Sequence, residues 1–105
     1  MVLRPLSATE RADALTKAAA ARVTRAAAKE SLKNGKRSAA DIIAAAGEDD
    51  ALARMRVAEL LEALPGIGKV RAAAIMDQLN IAASRRVRGL GVHQRQALVN
   101  FIDES

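Results

Sequence analysis

The stretch ALPGIGKVRAAAIM, Ala63–Met76, sets a Pro and two Gly residues between two apolar segments and follows them at once with Lys69. Upstream, Val57, Leu60, Leu61 and Leu64 recur at i, i+3, i+4 and i+7, one face of a short helix that Pro65-Gly66 ends. Downstream, KVRAAAIMDQLN carries helix formers and no breaker, and Val70, Ala73, Ala74 and the run Met76–Leu79 are expected to face inward. The unit reads as helix, Pro-Gly-Ile-Gly, helix. A Walker loop needs G-x-x-x-x-G-K-[ST]; here the glycines stand two apart, Val70 follows Lys69 in place of a hydroxyl, and no strand precedes them. A dinucleotide fingerprint fails as well, because Arg71 or Ala72 falls in the region of the third glycine.

What remains is a sharp reversal. Glycine reaches positive φ without steric cost, so Gly66 and Gly68 let the chain turn while Ile67 points inward as the anchor. The first amides of the second helix are then unpaired and point outward. With no side chain at Gly66 or Gly68, a phosphate oxygen comes close enough to accept from the amides around Gly66–Lys69, and the helix dipole favours the same anion. Lys69 and Arg71 add neighbouring charge. The first candidate contacts are therefore Gly66, Ile67, Gly68, Lys69, Val70 and Arg71. Such a grip positions a nucleic acid and reads no base.

SRRVRGLGVHQRQAL, Ser84–Leu98, repeats the logic. Gly89 and Gly91 flank apolar Leu90, and a helix follows. Arg85, Arg86 and Arg88 precede it, Arg95 lies beyond, and no acid occurs between positions 84 and 95. One reading is purely structural: Leu90 plugs the core and the arginines are solvated. Unopposed arginines beside a helix start suit phosphate oxygens, which guanidinium forks meet bidentately, or a narrow minor groove. Gly89, Gly91 and the four arginines are the second candidate group.

Toward the N-terminus, Ser7 or Thr9 caps a helix over residues 8–34, roughly 40 Å long, that Asn34-Gly35 stops. Its apolar positions are mostly Ala, with Leu15, Val23 and Leu32 expected as the larger anchors. The first half reads as a solvated helix docked on a small body. From Arg22 onward an excess of positive charge (Arg22, Arg25, Lys29, Lys33, then Lys36 and Arg37 in the turn KNGKR) suits an arm along a duplex. Ser38 caps a second helix, AADIIAAAG, and Glu48, Asp49 and Asp50 form an acidic start for a third. Three adjacent carboxylates without other oxygen donors make a poor cation cage. VHQRQALVNFI closes the chain as a helix, with Leu98, Phe101 and Ile102 as core candidates. The expected division is 1–37, a basic N-terminal helix, and 38–105, a helical domain with the hairpin.

Composition narrows the class. The chain has 105 residues, enough for one domain, and its Ala content with few β-branched residues predicts an all-α fold. Phe101 is the single aromatic residue, so a sheet that stacks bases on aromatics is excluded. There is no Cys, and His93 stands alone, so neither thiol chemistry nor a metal site is expected; Met55 and Met76 read as core filler. No apolar run is long enough to span a bilayer, and no signal peptide is read, so a cytoplasmic, nucleoid location without membrane partners is the expectation. Seventeen basic residues against 12 acidic ones leave +5, a field that attracts polyanions.

LPGIGKVRAAAIM resembles the hairpin of helix-hairpin-helix DNA-binding proteins, and the order LLEALPGIGKVRAAAIMDQLNIA then RRVRGLGVHQRQAL resembles the actinobacterial (mycobacterial-type) integration host factor family. That family is unrelated in fold to the heterodimeric integration host factor of enterobacteria. The resemblance implies a helix-two-turns-helix domain like that of a small-subunit ribosomal protein, and a nucleoid-associated, double-stranded DNA binder that bends or compacts DNA and assists site-specific recombination. The expected arrangement is that backbone amides around Gly66–Lys69 grip one strand and Arg85, Arg86 and Arg88 reach a second contact line; if the basic residues of the long helix also touch a second segment of DNA, a monomer would bridge duplexes. No cofactor is expected. A base-excision enzyme is not expected either: Asp77 sits near the end of the second hairpin helix, and a body this small has little room for a flipped base. The rival reading is a ribosomal RNA binder of the same module, against which stands the acidic end Asp103-Glu104-Ser105. A second rival is a helical protein–protein adaptor.

Overall fold

A computed structural model describes residues 7–104; residues 1–6, the side chain of Glu104 and Ser105, hence part of the expected acidic end, lie outside the described residues. The chain is all-α: α1 (Ala8–Lys33), α2 (Ala39–Ala45), α3 (Asp50–Ala53), α4 (Val57–Glu62), α5 (Lys69–Gln78), a single 3₁₀ turn (Val87–Gly89) and α6 (Val92–Glu104). Local chemistry sets the first boundaries. Ser7 Oγ accepts from Glu10 N at 3.1 Å to start α1. At its other end Gly35, at φ +76°, turns the chain so that Gly35 N donates to Leu32 O and Lys36 N to Ser31 O, a Schellman closure. Ser38 and Asp41 form a reciprocal capping box at α2, and the Asp49 carboxylate accepts from Ala51 N at 3.0 Å to start α3.

The core is aliphatic. Ile42, Leu60, Leu61 and Leu98 are wholly buried, with Leu32, Met55, Val57 and Val87 beside them. α1 packs on α3 and α4, α2 on α3 and α6, α4 on α5, and α3 on the 3₁₀ turn. Among the described residues there is no strand, only one antiparallel bridge between Arg56 and Arg86, in which Val57 N donates to Arg85 O (3.0 Å) and Val87 N to Met55 O (2.9 Å). That bridge fastens the second glycine turn to the α3–α4 junction.

Three expectations are corrected. Leu15 and Val23 are not anchors: they are 68% and 69% exposed, and α1 buries only Ala28 and Leu32. Residues 11 to 20 of this 26-residue helix are all exposed, so Leu15 has no core to enter, and Val23 lies on the outward face beside half-buried Ala21 and Thr24. The inward face of α5 is displaced from the expected one: Ala72, Ile75 and Met76 are buried and Leu79 is half-buried, while Val70, Ala73, Ala74, Asp77 and Gln78 are exposed. Positions 72, 75, 76 and 79 complete the i, i+3, i+4, i+7 face that holds the bulky side chains. Gly68 does not adopt positive φ; its φ is −94°, and only Gly66, at +79°, makes the left-handed turn.

Leu60→Ala is expected to cost about 2–5 kcal/mol in chemical denaturation, as buried leucine truncations do. Leu15→Ala, on the projecting part of α1, is expected to stay within about 0.5 kcal/mol of the parent.

Candidate nucleic-acid interface

The hairpin is built by α4 ending and α5 beginning within a few residues. Ile67 N donates to Leu64 O at 3.2 Å, and the Ile67 side chain packs, half-buried, against the core. This anchors the tip and leaves Pro65, Gly66 and Gly68 exposed. α5 then starts at Gly68 with no side-chain cap and no acid in its first turn; its first internal bond is Ala72 N to Gly68 O at 2.9 Å. The amides of Lys69, Val70 and Arg71 precede that bond and have no intrahelical acceptor. A Cβ placed on Gly68 meets nothing within 4 Å, so the protein's own packing gives no reason for glycine there. Lys69 and Arg71 are exposed on either side of Val70.

The second glycine pair forms a related start. Leu90 is buried, as expected, and Gly91 O accepts from Arg95 N at 2.9 Å as α6 begins. Gln94, which sequence reasoning passed over, joins the two units. Its Oε1 accepts from Gly91 N and its Nε2 donates to Asn80 O, both at 3.2 Å. Asn80 closes α5 at φ +58°. The available signal was a Gln three residues past a glycine cap, half of a capping box.

The arginines before this turn differ in their surroundings. Arg85, half-buried, lays its side chain over Gly89 and donates from Nη1 to Gly89 O at 3.0 Å; a methyl group on Gly89 would stand 3.0 Å from Arg85 Cδ. Arg86 donates from Nη1 to Arg54 O at 2.6 Å, at the C-terminus of α3. Arg88 and Arg95 are exposed and border a shallow depression of about 260 Å³ beside Val87 and Gly47. Thus Arg85 and Arg86 each hold a backbone carbonyl, and Arg86, Arg88 and Arg95 are exposed to solvent.

Along α1, Arg22, Arg25, Lys29 and Lys33 follow one another at three- and four-residue intervals down one flank. Lys29 and Lys33 share a cleft of about 570 Å³ with Pro65, Gly66 and Ile67, so the end of α1 lies beside the hairpin. Glu30, Glu59 and Glu62 line the same cleft, and Lys29 Nζ stands 3.8 Å from Glu59 Oε2. Lys36 is exposed and Arg37 half-buried in the turn after α1, outside the residues that line the cleft. Among the described residues no group of His, Cys, Asp or Glu is arranged to hold a metal, and no helix is long and apolar enough to cross a membrane.

A hairpin between two helices, a second glycine turn starting a third, and arginines between them define a helix-two-turns-helix protein. Residues 32–101 match the S13-like H2TH domain family. Over its whole length the chain is 49% identical to the integration host factor of Mycolicibacterium smegmatis, covering 100% of that protein. It is 51% identical over 98 residues to the integration host factor of Streptomyces coelicolor, covering 93% of this chain and 92% of the other. A solved structure of sIHF bound to an 8 bp palindromic DNA matches with a TM-score of 0.80 at 49% identity, covering 82% of this chain and 97% of that one. The chain belongs to the integration host factor family of mycobacteria and Streptomyces.

Arg86→Ala removes the donor to Arg54 O and is expected to lower stability by about 1–2 kcal/mol in urea titration. Arg88→Ala, with no backbone carbonyl to release, is expected to remain within about 0.5 kcal/mol.

Proposed function

We propose that this protein is a nucleoid-associated, double-stranded DNA-binding protein that grips phosphates largely without reading bases. The observation that carries the proposal is the uncapped start of α5: three amides without helical acceptors, a glycine cap with open space before it, and Lys69 and Arg71 on either side. A relative of the same fold, about half identical to this chain, has been solved on duplex DNA, and this favours DNA over the ribosomal RNA alternative.

In this reading one strand's phosphates meet the amides from Gly68 to Arg71. The solvent-facing Arg88 and Arg95 form the second contact line, and Arg85 and Arg86 support it by holding the loop that carries Arg88. The region from residue 38 onward does the gripping, and the region up to residue 37 acts as a basic arm. Its flank of Arg22, Arg25, Lys29 and Lys33 takes a second segment of DNA, so a monomer bridges duplexes and compacts or bends DNA without oligomerising. The protein works in the cytoplasm on the nucleoid and assists site-specific recombination as an architectural factor. The reading is of a binding protein and assigns no catalysis: Asp77 is exposed near the end of α5, on an open depression of about 240 Å³ that Lys69 and Met76 also line.

With about five to seven phosphates neutralised, log affinity should fall against log salt with a slope of roughly −5 to −6. Fluorescence anisotropy on a short duplex measures it, and a flat dependence contradicts the mechanism. Gly68→Val is expected to weaken binding about tenfold or more, as losing a preorganised anion contact does, with the circular dichroism unchanged. Unchanged affinity in that folded variant removes the amide grip.

A further inference from the structure

One side of α6 carries a stripe that the fold leaves largely unused. Val92, Gln96, Val99 and Asp103 stand at i, i+4, i+7 and i+11 along this 13-residue helix. Val92 is 80% exposed, Gln96 and Asp103 are exposed, and Val99 is half-buried. Beside the stripe α2 sets Ala40, Ile43 and Ala44, so that the two helices flank an open groove of about 280 Å³. At the N-terminal end of α6 the groove runs on, through Ile43 and Arg95, into the depression that Arg88 borders. Among the described residues no carboxylate lines either hollow, and neither shares a residue with the cleft beside the hairpin. The surface is therefore apolar along its middle, cationic at the Arg88 and Arg95 end, and anionic at the other end, where Asp103 stands.

A groove of methyl groups offers nothing to phosphate, so its occupant is apolar along the middle. The occupant also needs an acid where Arg88 and Arg95 stand. α6 itself meets both demands when turned end for end. A two-fold axis midway between Arg95 and Gln96 sets Val92 of each copy against the other copy's Val99, and brings each Asp103 toward the other copy's Arg88. The two helix dipoles then run antiparallel. Ala40 and Ala44 are small and let the second helix come close. We infer that this face is an isologous contact with a second copy of the chain, α6 packed antiparallel on α6 over the α2–α6 groove. The symmetry makes each contact occur twice. A helix of 13 residues is about 20 Å long, so the contact is small and the pair transient. The valines supply affinity, and the charges fix direction and register. Pairing covers Arg88 and Arg95, which the DNA-binding reading above assigns to the second contact line. The pairing stands without that reading; a competition between DNA and the second copy rests on it, and leaves the single chain as the form on DNA.

The test is sedimentation equilibrium of the full chain free of nucleic acid, followed by interference optics because the sequence has no Trp or Tyr. The single-chain mass of 11.1 kDa is expected at low micromolar concentration, rising toward twice that value at higher concentration, with a dissociation constant of about 10–100 μM. Val92→Asp changes an exposed position where an acid suits a helix start, so the fold is kept, and association is expected to weaken about tenfold or more. Asp103→Arg is expected to weaken association about three- to tenfold, and adding Arg88→Asp to it to recover most of that loss, a rescue specific to this register. Each variant should show the parent's helical dichroism. A parent that keeps the single-chain mass up to about 500 μM overturns the inference. So does association that Val92→Asp leaves within about twofold of the parent, or a charge exchange that recovers nothing. A short DNA duplex added to the parent is expected to displace the second copy; a duplex that binds the intact pair overturns the competition. A duplex that does not bind at all defeats the DNA-binding reading and leaves the pairing as measured.

Discussion

The positive end of α5 is left open. Helix starts carry amides that need acceptors, and this chain supplies side-chain acceptors at α1, α2 and α3 through Ser7, Ser38 and Asp49. At α5 it supplies none: the cap is Gly68, the first turn holds Lys69 and Arg71, and no carboxylate approaches as a first-turn acid. α4 also starts without a side-chain cap, but Glu59 lies in its first turn and Val57 N donates to Arg85 O; α5 has neither, and with glycine at the cap the loss is only roughly a few tenths of a kcal/mol. The open end faces solvent, and the proposed phosphate contact falls there.

The rest of the molecule holds that end in position. Ile67 ties the hairpin tip to a wholly aliphatic core, and α4 and α5 pack together beneath it. The bridge at Arg56 and Arg86, with the Arg86 guanidinium on Arg54 O, fixes the second glycine turn to the α3–α4 junction. Gln94 spans from the start of α6 to the end of α5. Rigid placement matters because a backbone grip depends on geometry: the amides must stand where successive phosphates stand. The charges around it are mixed. Lys29 and Lys33 flank the hairpin cleft together with Glu30, Glu59 and Glu62, so the cationic surface there is interrupted, and the acid-free segment lies instead between positions 84 and 95.

Much of this was legible in the sequence wherever the determining chemistry is local. Ser7, Ser38 and Asn34-Gly35 mark helix ends through bonds that span a few residues, and Pro65-Gly66 ends α4 within two residues of Leu64. The all-α class and the family followed from composition and from the order of the two glycine units. What was not legible depends on distant parts. An alanine-rich segment gives no phase, so the face of α5 expected inward differs from the one that Ala72, Ile75 and Met76 set against the core. Leu15 and Val23 are apolar in sequence and exposed because they lie on the face of α1 turned away from the other helices. Arg86 meets a carbonyl 32 residues away, and Lys29 meets Glu59 on another helix, pairings that charge counting cannot reveal.

The amide grip is tested most directly by titrating isotope-labelled protein with a short DNA duplex and following each backbone N–H in proton–nitrogen correlation spectra. The account predicts that the amides of Gly68, Lys69, Val70 and Arg71 shift downfield, among the largest changes in the chain, and return as salt displaces the duplex. If those resonances stay in place while binding proceeds and shifts concentrate on another face of the molecule, the central claim is wrong.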